Sequence, residues 1–113
     1  MTEIDYTSEF KRNLRQLSRR YRSIRQDIDP VIAQLRAGET PGDQISGVGY
    51  SVFKLRVKNS DNNKGKSGGY RVIYYVKTDT HVTLVTVYSK SDQSDIDNVA
   101  LQRILNDYEA GRS

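Results

Sequence analysis

Three runs between residues 52 and 89 limit this chain most. They read "VFKLRV", "YRVIYYVK" and "HVTLVTVYS". Each is rich in β-branched and aromatic residues, which favour strands. In the first, Phe53, Leu55 and Val57 alternate with Lys54, Arg56 and Lys58. That is the pattern of a strand with one buried and one cationic face. In the second, Val72, Tyr74 and Val76 share one face, and Arg71, Ile73, Tyr75 and Lys77 share the other. The third is nearly all apolar or β-branched, as expected of a central strand covered on both sides. The polar connections "NSDNNKGKSGG" and "TDT" make the three consecutive strands a meander.

Helical spacing surrounds these strands. Phe10, Leu14, Leu17 and Tyr21 recur at intervals of four, three and four, with Lys11, Arg12, Arg15, Arg19 and Arg20 around them. A second series runs Ile24, Ile28, Ile32, Leu35. Ser23 with Gln26 reads as a capping box, so a new helix is expected near Ser23. A break near Tyr21–Arg22 and a kink at Pro30 give an antiparallel helical hairpin, ended by Gly38. Residues 38–49, with four glycines and one proline, read as a loop. Ile96, Val99, Leu101, Ile104, Leu105 and Tyr108 mark a C-terminal helix beginning near Ser94, and "EIDY" a short first strand. The expected order is β-α-α-β-β-β-α. That is an α+β fold, a small antiparallel sheet with an N-terminal helical hairpin and a C-terminal helix. A length of 113 residues makes it a single domain over 1–113.

Cysteine is absent, which removes disulfides, thiolate metal sites and a cysteine nucleophile. No apolar run reaches the length of a membrane span and no signal-peptide core is evident. A soluble cytoplasmic protein without membrane contact is therefore expected. Residues 11–36 and 54–90 each hold eight Lys/Arg against two Asp, a local charge of +6, while the other segments are net acidic. Two basic blocks suit an anionic partner. Solvated residues that keep the chain soluble would look the same.

The segment "GKSGG" raises the question of phosphate binding. A P-loop requires a glycine at residue 60, which is Ser60, and a helix after the lysine, where a strand-like run follows instead. Nucleotide binding is not expected in that context. The strands offer another possibility. Lys54 and Arg56 share a face, Arg71 can lie across from them, and Tyr88 and Lys90 end the next strand. This cluster reads as free of carboxylates and of metal ligands. Crowded like charges push a lysine toward its neutral form, so one could act as a base while arginines hold a phosphate. Metal-free RNA cleavage needs those two functions. The same residues also fit the wet face of a half-buried strand. Tyr70, Tyr74 and Tyr75 read as packing residues. His81 lies far along its strand from Tyr88, and Asp92, Asp95 and Asp97 read as a helix-start cluster.

The blocks "VFKLRV", "KGKSGGYRVIYYV" and "LVTVYSKSDQSDI", with the helical "SEFKRNLRQLSRRY", resemble the RelE/HigB branch of the RelE/ParE toxin superfamily of bacterial type II toxin–antitoxin systems. The resemblance covers nearly the whole chain. It implies a ribosome-dependent mRNA endonuclease, an mRNA interferase that cuts in the A site without metal or cofactor and inhibits translation. ParE-like relatives inhibit DNA gyrase instead, and an inactive RNA- or protein-binding module of the same fold is a further alternative. Carried over, Lys54 and Arg56 match the basic pair of the second family strand, a general base and a phosphate-binding partner. Arg71 matches the arginine that stabilises the transition state, and Lys90 a further basic residue. The tyrosine that some relatives place after that position corresponds to Ile96, which leaves Tyr88 as the substitute. Lys58, Lys64 and Lys66 are expected along the RNA backbone. The implied partners are a cognate antitoxin, mRNA and the ribosome. Operator DNA would be bound through the antitoxin in the complex.

Overall fold

A computed structural model describes residues 1–62 and 68–112. Thr7 fixes the start of the first helix, α1 (Ser8–Arg20). Its hydroxyl oxygen accepts from the Phe10 N–H at 2.9 Å and donates to the Val85 carbonyl at 2.6 Å. One buried threonine thus caps the helix and fastens it to the sheet. The chain turns at Tyr21, as the spacing predicts, and α2 (Ile24–Arg36) returns beside α1. The helix runs on through Pro30, which lies on its exposed side, while Ile24, Ile28, Val31 and Leu35 are buried.

The expected capping box does not form. Ser23 stands at the N-cap, but its side chain makes no capping bond. Two long-range carboxylates take over. Asp61 accepts from the Ser23 N–H at 2.8 Å, and Asp27 accepts from the Ser60 N–H at 2.9 Å. The start of α2 is thereby tied to the segment that follows the first meander strand.

The remaining elements are β1 (Glu3–Tyr6), β2 (Asp43–Ile45), β3 (Val52–Val57), β4 (Tyr70–Thr78), β5 (His81–Ser89) and α3 (Asn98–Glu109). The meander β3-β4-β5 is present, with β5 internal and buried along nearly its whole length. Two expectations change. The sheet is mixed and five-stranded, in the order β1-β5-β4-β3-β2, because β1 pairs parallel with β5. The glycine-rich loop also contains β2, antiparallel to β3. Gly42 makes that pairing possible: its φ is +95°, and a Cβ there would stand 2.4 Å from the Lys54 carbonyl oxygen. The C-terminal helix starts at Asn98, four residues later than Ser94. Asp97 is its N-cap, accepting from the Ala100 N–H at 2.7 Å.

The helices divide between the two faces of the sheet. Phe10, Ile24, Ile28 and Leu35 of the hairpin pack with Val72, Tyr74 and Leu84. On the other face Leu101 and Leu105 of α3 pack with Val52, Ile73 and Val85. Helix α3 is too short to cover that face completely. The end that carries Arg56, Arg71 and Lys90 stays open. Among the described residues no helix is long and apolar enough to cross a membrane.

Candidate functional site: a basic pocket at the open end of the sheet

The register of the meander builds the site. Arg56 pairs with Arg71, and Arg71 with Tyr88, so the three form one row across β3, β4 and β5. Residues directly opposite in antiparallel strands point to the same face. Lys54 lies two residues from Arg56 on β3 and therefore on that face as well.

Tyr88 reaches this face through an irregularity. Ile73 pairs with Thr86 but Tyr74 with Leu84, which leaves Val85 as an extra residue in β5. Leu84 packs with the hairpin, and strict alternation would send Tyr88 to that side too. The extra residue reverses the parity beyond it, so Tyr88 joins Val85 on the face under α3. Asn13 of α1 secures the bulge. Its side-chain oxygen accepts from the Thr86 hydroxyl at 2.8 Å and from the Val87 N–H at 3.3 Å.

The result is a pocket of about 460 Å³ between Gly42, Asp43, Lys54, Arg56, Arg71, Lys90 and Asp95. Arg71 is only 5% exposed. Its guanidinium donates to the Tyr70 carbonyl at 3.3 Å. Arg56 is exposed at the wall. Tyr88 is 4% exposed, so its ring packs and only its hydroxyl can take part in chemistry.

The sequence reading missed Asp95. It belongs to no helix and sits in the irregular segment between β5 and α3. One carboxylate oxygen accepts from Tyr88 Oη at 3.0 Å and lies 3.2 Å from Lys90 Nζ. The other lies 3.6 Å from Lys54 Nζ. The expected carboxylate-free cluster is therefore wrong, and so is the reading of Asp95 as part of a helix-start cluster. Asp97 does cap α3, and Asp92 pairs with Arg20 of α1 at 2.6 Å. Hydrogen bonds from Lys90 and Tyr88 hold the Asp95 carboxyl below its ordinary pKa. Burial, with the bond to Asp95 second, pushes the Tyr88 hydroxyl up to about 12. Tyr88 is thus neutral at neutral pH and donates a hydrogen bond to Asp95.

The structure brings Lys54, Arg56, Arg71 and Lys90 together around the pocket, as the sequence predicts. Tyr88 does not line it and joins the group through its hydroxyl bond to Asp95. Lys58 is exposed just beyond the end of β3 and does not line the pocket. Lys64 and Lys66 lie outside the described residues. Ile96, at the position of the missing tyrosine, packs partly against the core under α3. Tyr70, Tyr74 and Tyr75 are buried packing residues. His81 contacts Asp5 at the opposite end of β5. Among the described residues no three His, Cys, Asp or Glu side chains converge as a metal-ligand set.

A row of cations on one strand face, with a buried arginine at its centre, can bind a phosphodiester and stabilise charge that develops on it. Compared with known families, residues 9–107 match the model described as the RelE toxin of the RelE/RelB toxin–antitoxin system. That match spans most of the chain and runs from α1 through α3: this protein belongs to the RelE toxin family.

Proposed function

We propose that this toxin is a ribosome-dependent endonuclease that cuts mRNA in the A site without a metal ion. The observation that carries the reading is the pocket lined by Lys54, Arg56, Arg71 and Lys90, with Tyr88 next to Arg71 in the same row and bonded through its hydroxyl to Asp95 at the pocket wall. A basic group takes the proton of a ribose 2′-OH, whose oxygen attacks the adjacent phosphorus. The 5′-oxygen of the next nucleotide leaves with a proton from an acid. The products are a 2′,3′-cyclic phosphate and a 5′-hydroxyl. Lys54 is the candidate base, and Arg56 holds the phosphate. Arg71 meets the charge of the transition state, and Tyr88 or Lys90 supplies the leaving-group proton. Burial of Arg71 favours donors that need little reorganisation during the reaction.

Family membership implies a cognate antitoxin as partner. The proposed inhibitor carries acidic and apolar segments that fold onto the toxin. The groove between α1 and α2, lined by Phe10, Leu14 and Ile28 with Lys11 and Arg25, offers one surface for such a segment. Co-expression with the neighbouring open reading frame is expected to relieve toxicity and yield a co-purifying complex.

The decisive assay uses ribosomes programmed with a defined A-site codon, read by primer extension. Wild type is expected to cut. Arg71→Ala is expected to lose roughly 10²–10³ in rate, as for a preorganised oxyanion donor. Lys54→Ala is expected to be slowed as well, with the fold of both variants intact. A wild-type protein that leaves the message whole but blocks gyrase supercoiling would overturn the nuclease reading and establish a ParE-like one.

A further inference from the structure

The pocket already contains an anion of its own. Among the described residues, two carboxylates line it, Asp43 and Asp95. Only Asp95 forms ion pairs with the pocket lysines. Its two oxygens collect Lys54, Lys90 and the Tyr88 hydroxyl. A phosphodiester also presents two charge-sharing oxygens that accept several donors, and it carries the same single charge. The carboxylate and an RNA phosphate therefore suit the same three donors.

The surroundings allow one to replace the other. The Asp95 side chain is 50% exposed, so water can solvate it once it is released. It belongs neither to the ladder of β5 nor to α3. On one side of it Asp92 is tied to Arg20, and on the other Asp97 caps the helix. Asp95 can swing out between these anchors without breaking a strand or a helix.

We propose that Asp95 is a displaceable internal anion that occupies the phosphate position of Lys54, Lys90 and Tyr88 until an RNA phosphodiester takes its place. This rests on the reading of the pocket as an RNA site. It makes Asp95 a specificity-determining residue. A lone anion, or RNA held at one phosphate, must compete with a carboxylate that is always present. A strand positioned by further contacts outcompetes it. The toxin is thereby biased against free RNA and toward a message already held in place.

The test measures binding, not cleavage. The full-length protein is titrated with a short 2′-O-methyl RNA, which cannot be cut, across a range of salt concentrations. Loss of two exposed ion pairs sets the scale, so Asp95→Asn is expected to bind roughly three- to tenfold more tightly with a steeper salt dependence. Asp95→Glu keeps the charge and is expected to behave as wild type. Asp43→Asn removes an equal charge from the same pocket but breaks no ion pair, and its gain is expected to be smaller. Unchanged or weaker binding by Asp95→Asn overturns the proposal. So does an equal gain from Asp43→Asn, which would reduce the effect to general electrostatics. A wild type that shows this dependence on Asp95 and yet leaves ribosome-bound message uncut would sink the nuclease reading and leave the internal anion standing.

Discussion

Tyr88 and Asp95 hold one proton between them. Burial and the carboxylate both keep it on the tyrosine, and the pKa stands at about 12. Asp95→Asn removes the charge but not the burial. The Tyr88 pKa is therefore expected to fall while staying above the ordinary value of 10.0. Carbon-13 NMR of labelled tyrosine ring carbons, titrated in wild type and variant, measures it. An unmoved value would make burial the sole cause. The carboxylate's own depressed pKa has a consequence for stability. Its contribution is full above its ordinary 3.8 and is lost as pH falls through the lower, folded-state value. Any stability lead of wild type over Asp95→Asn is thus expected to shrink in acid, as followed by thermal unfolding. Lys54, Arg56 and Arg71 were legible in the sequence because strand alternation assigns faces, whereas Lys90 follows a bulge that alternation does not show. Asp95 was not. It lies in an irregular segment, where no period says which way a side chain points.

The meander could be read from its residues because each strand is long enough to display a pattern. The three residues of β2 cannot show one, and their pairing depends on Gly42 approaching the backbone at Lys54. The bulge in β5 was hidden for a different reason. Both faces of that strand are buried, so its sequence does not alternate, and an extra residue leaves no trace in it. The parallel pairing of β1 was equally invisible, since four residues of "EIDY" fit either direction. The bulge makes Asn13 a test at this scale. Asn13→Ala leaves the Thr86 hydroxyl and the Val87 N–H without their acceptor in a largely buried place. Leaving buried polar groups unmet costs about 1–3 kcal/mol. The variant is expected to lose stability in that range by urea unfolding and to cut more slowly, because Tyr88 and Lys90 follow the bulge. A loss well below ~0.5 kcal/mol would show that the bulge holds by strand pairing alone.

The hairpin cations and the pocket cations lie on opposite sides of the sheet. Residues 11–36 form the hairpin, and the pocket cations lie on the α3 side. Both basic blocks carry the same local charge, so net charge alone could not say which one would meet RNA. The open end of the α3 face, with its buried arginine, singles out the second. Binding of a short single strand should therefore neutralise phosphates at the pocket and not along the hairpin. Each phosphate neutralised contributes about −0.7 to the slope of log affinity against log salt. Lys54→Ala is expected to make the slope shallower by about that amount. The paired change Lys11→Ala and Arg25→Ala removes two charges from the hairpin groove and is expected to leave the slope as it was. Fluorescence anisotropy with a labelled, uncleavable RNA, from low to moderate salt, gives both slopes. If the hairpin pair flattens the slope as much as Lys54→Ala does, RNA spreads over both faces, and the pocket loses its claim to be the single point of engagement.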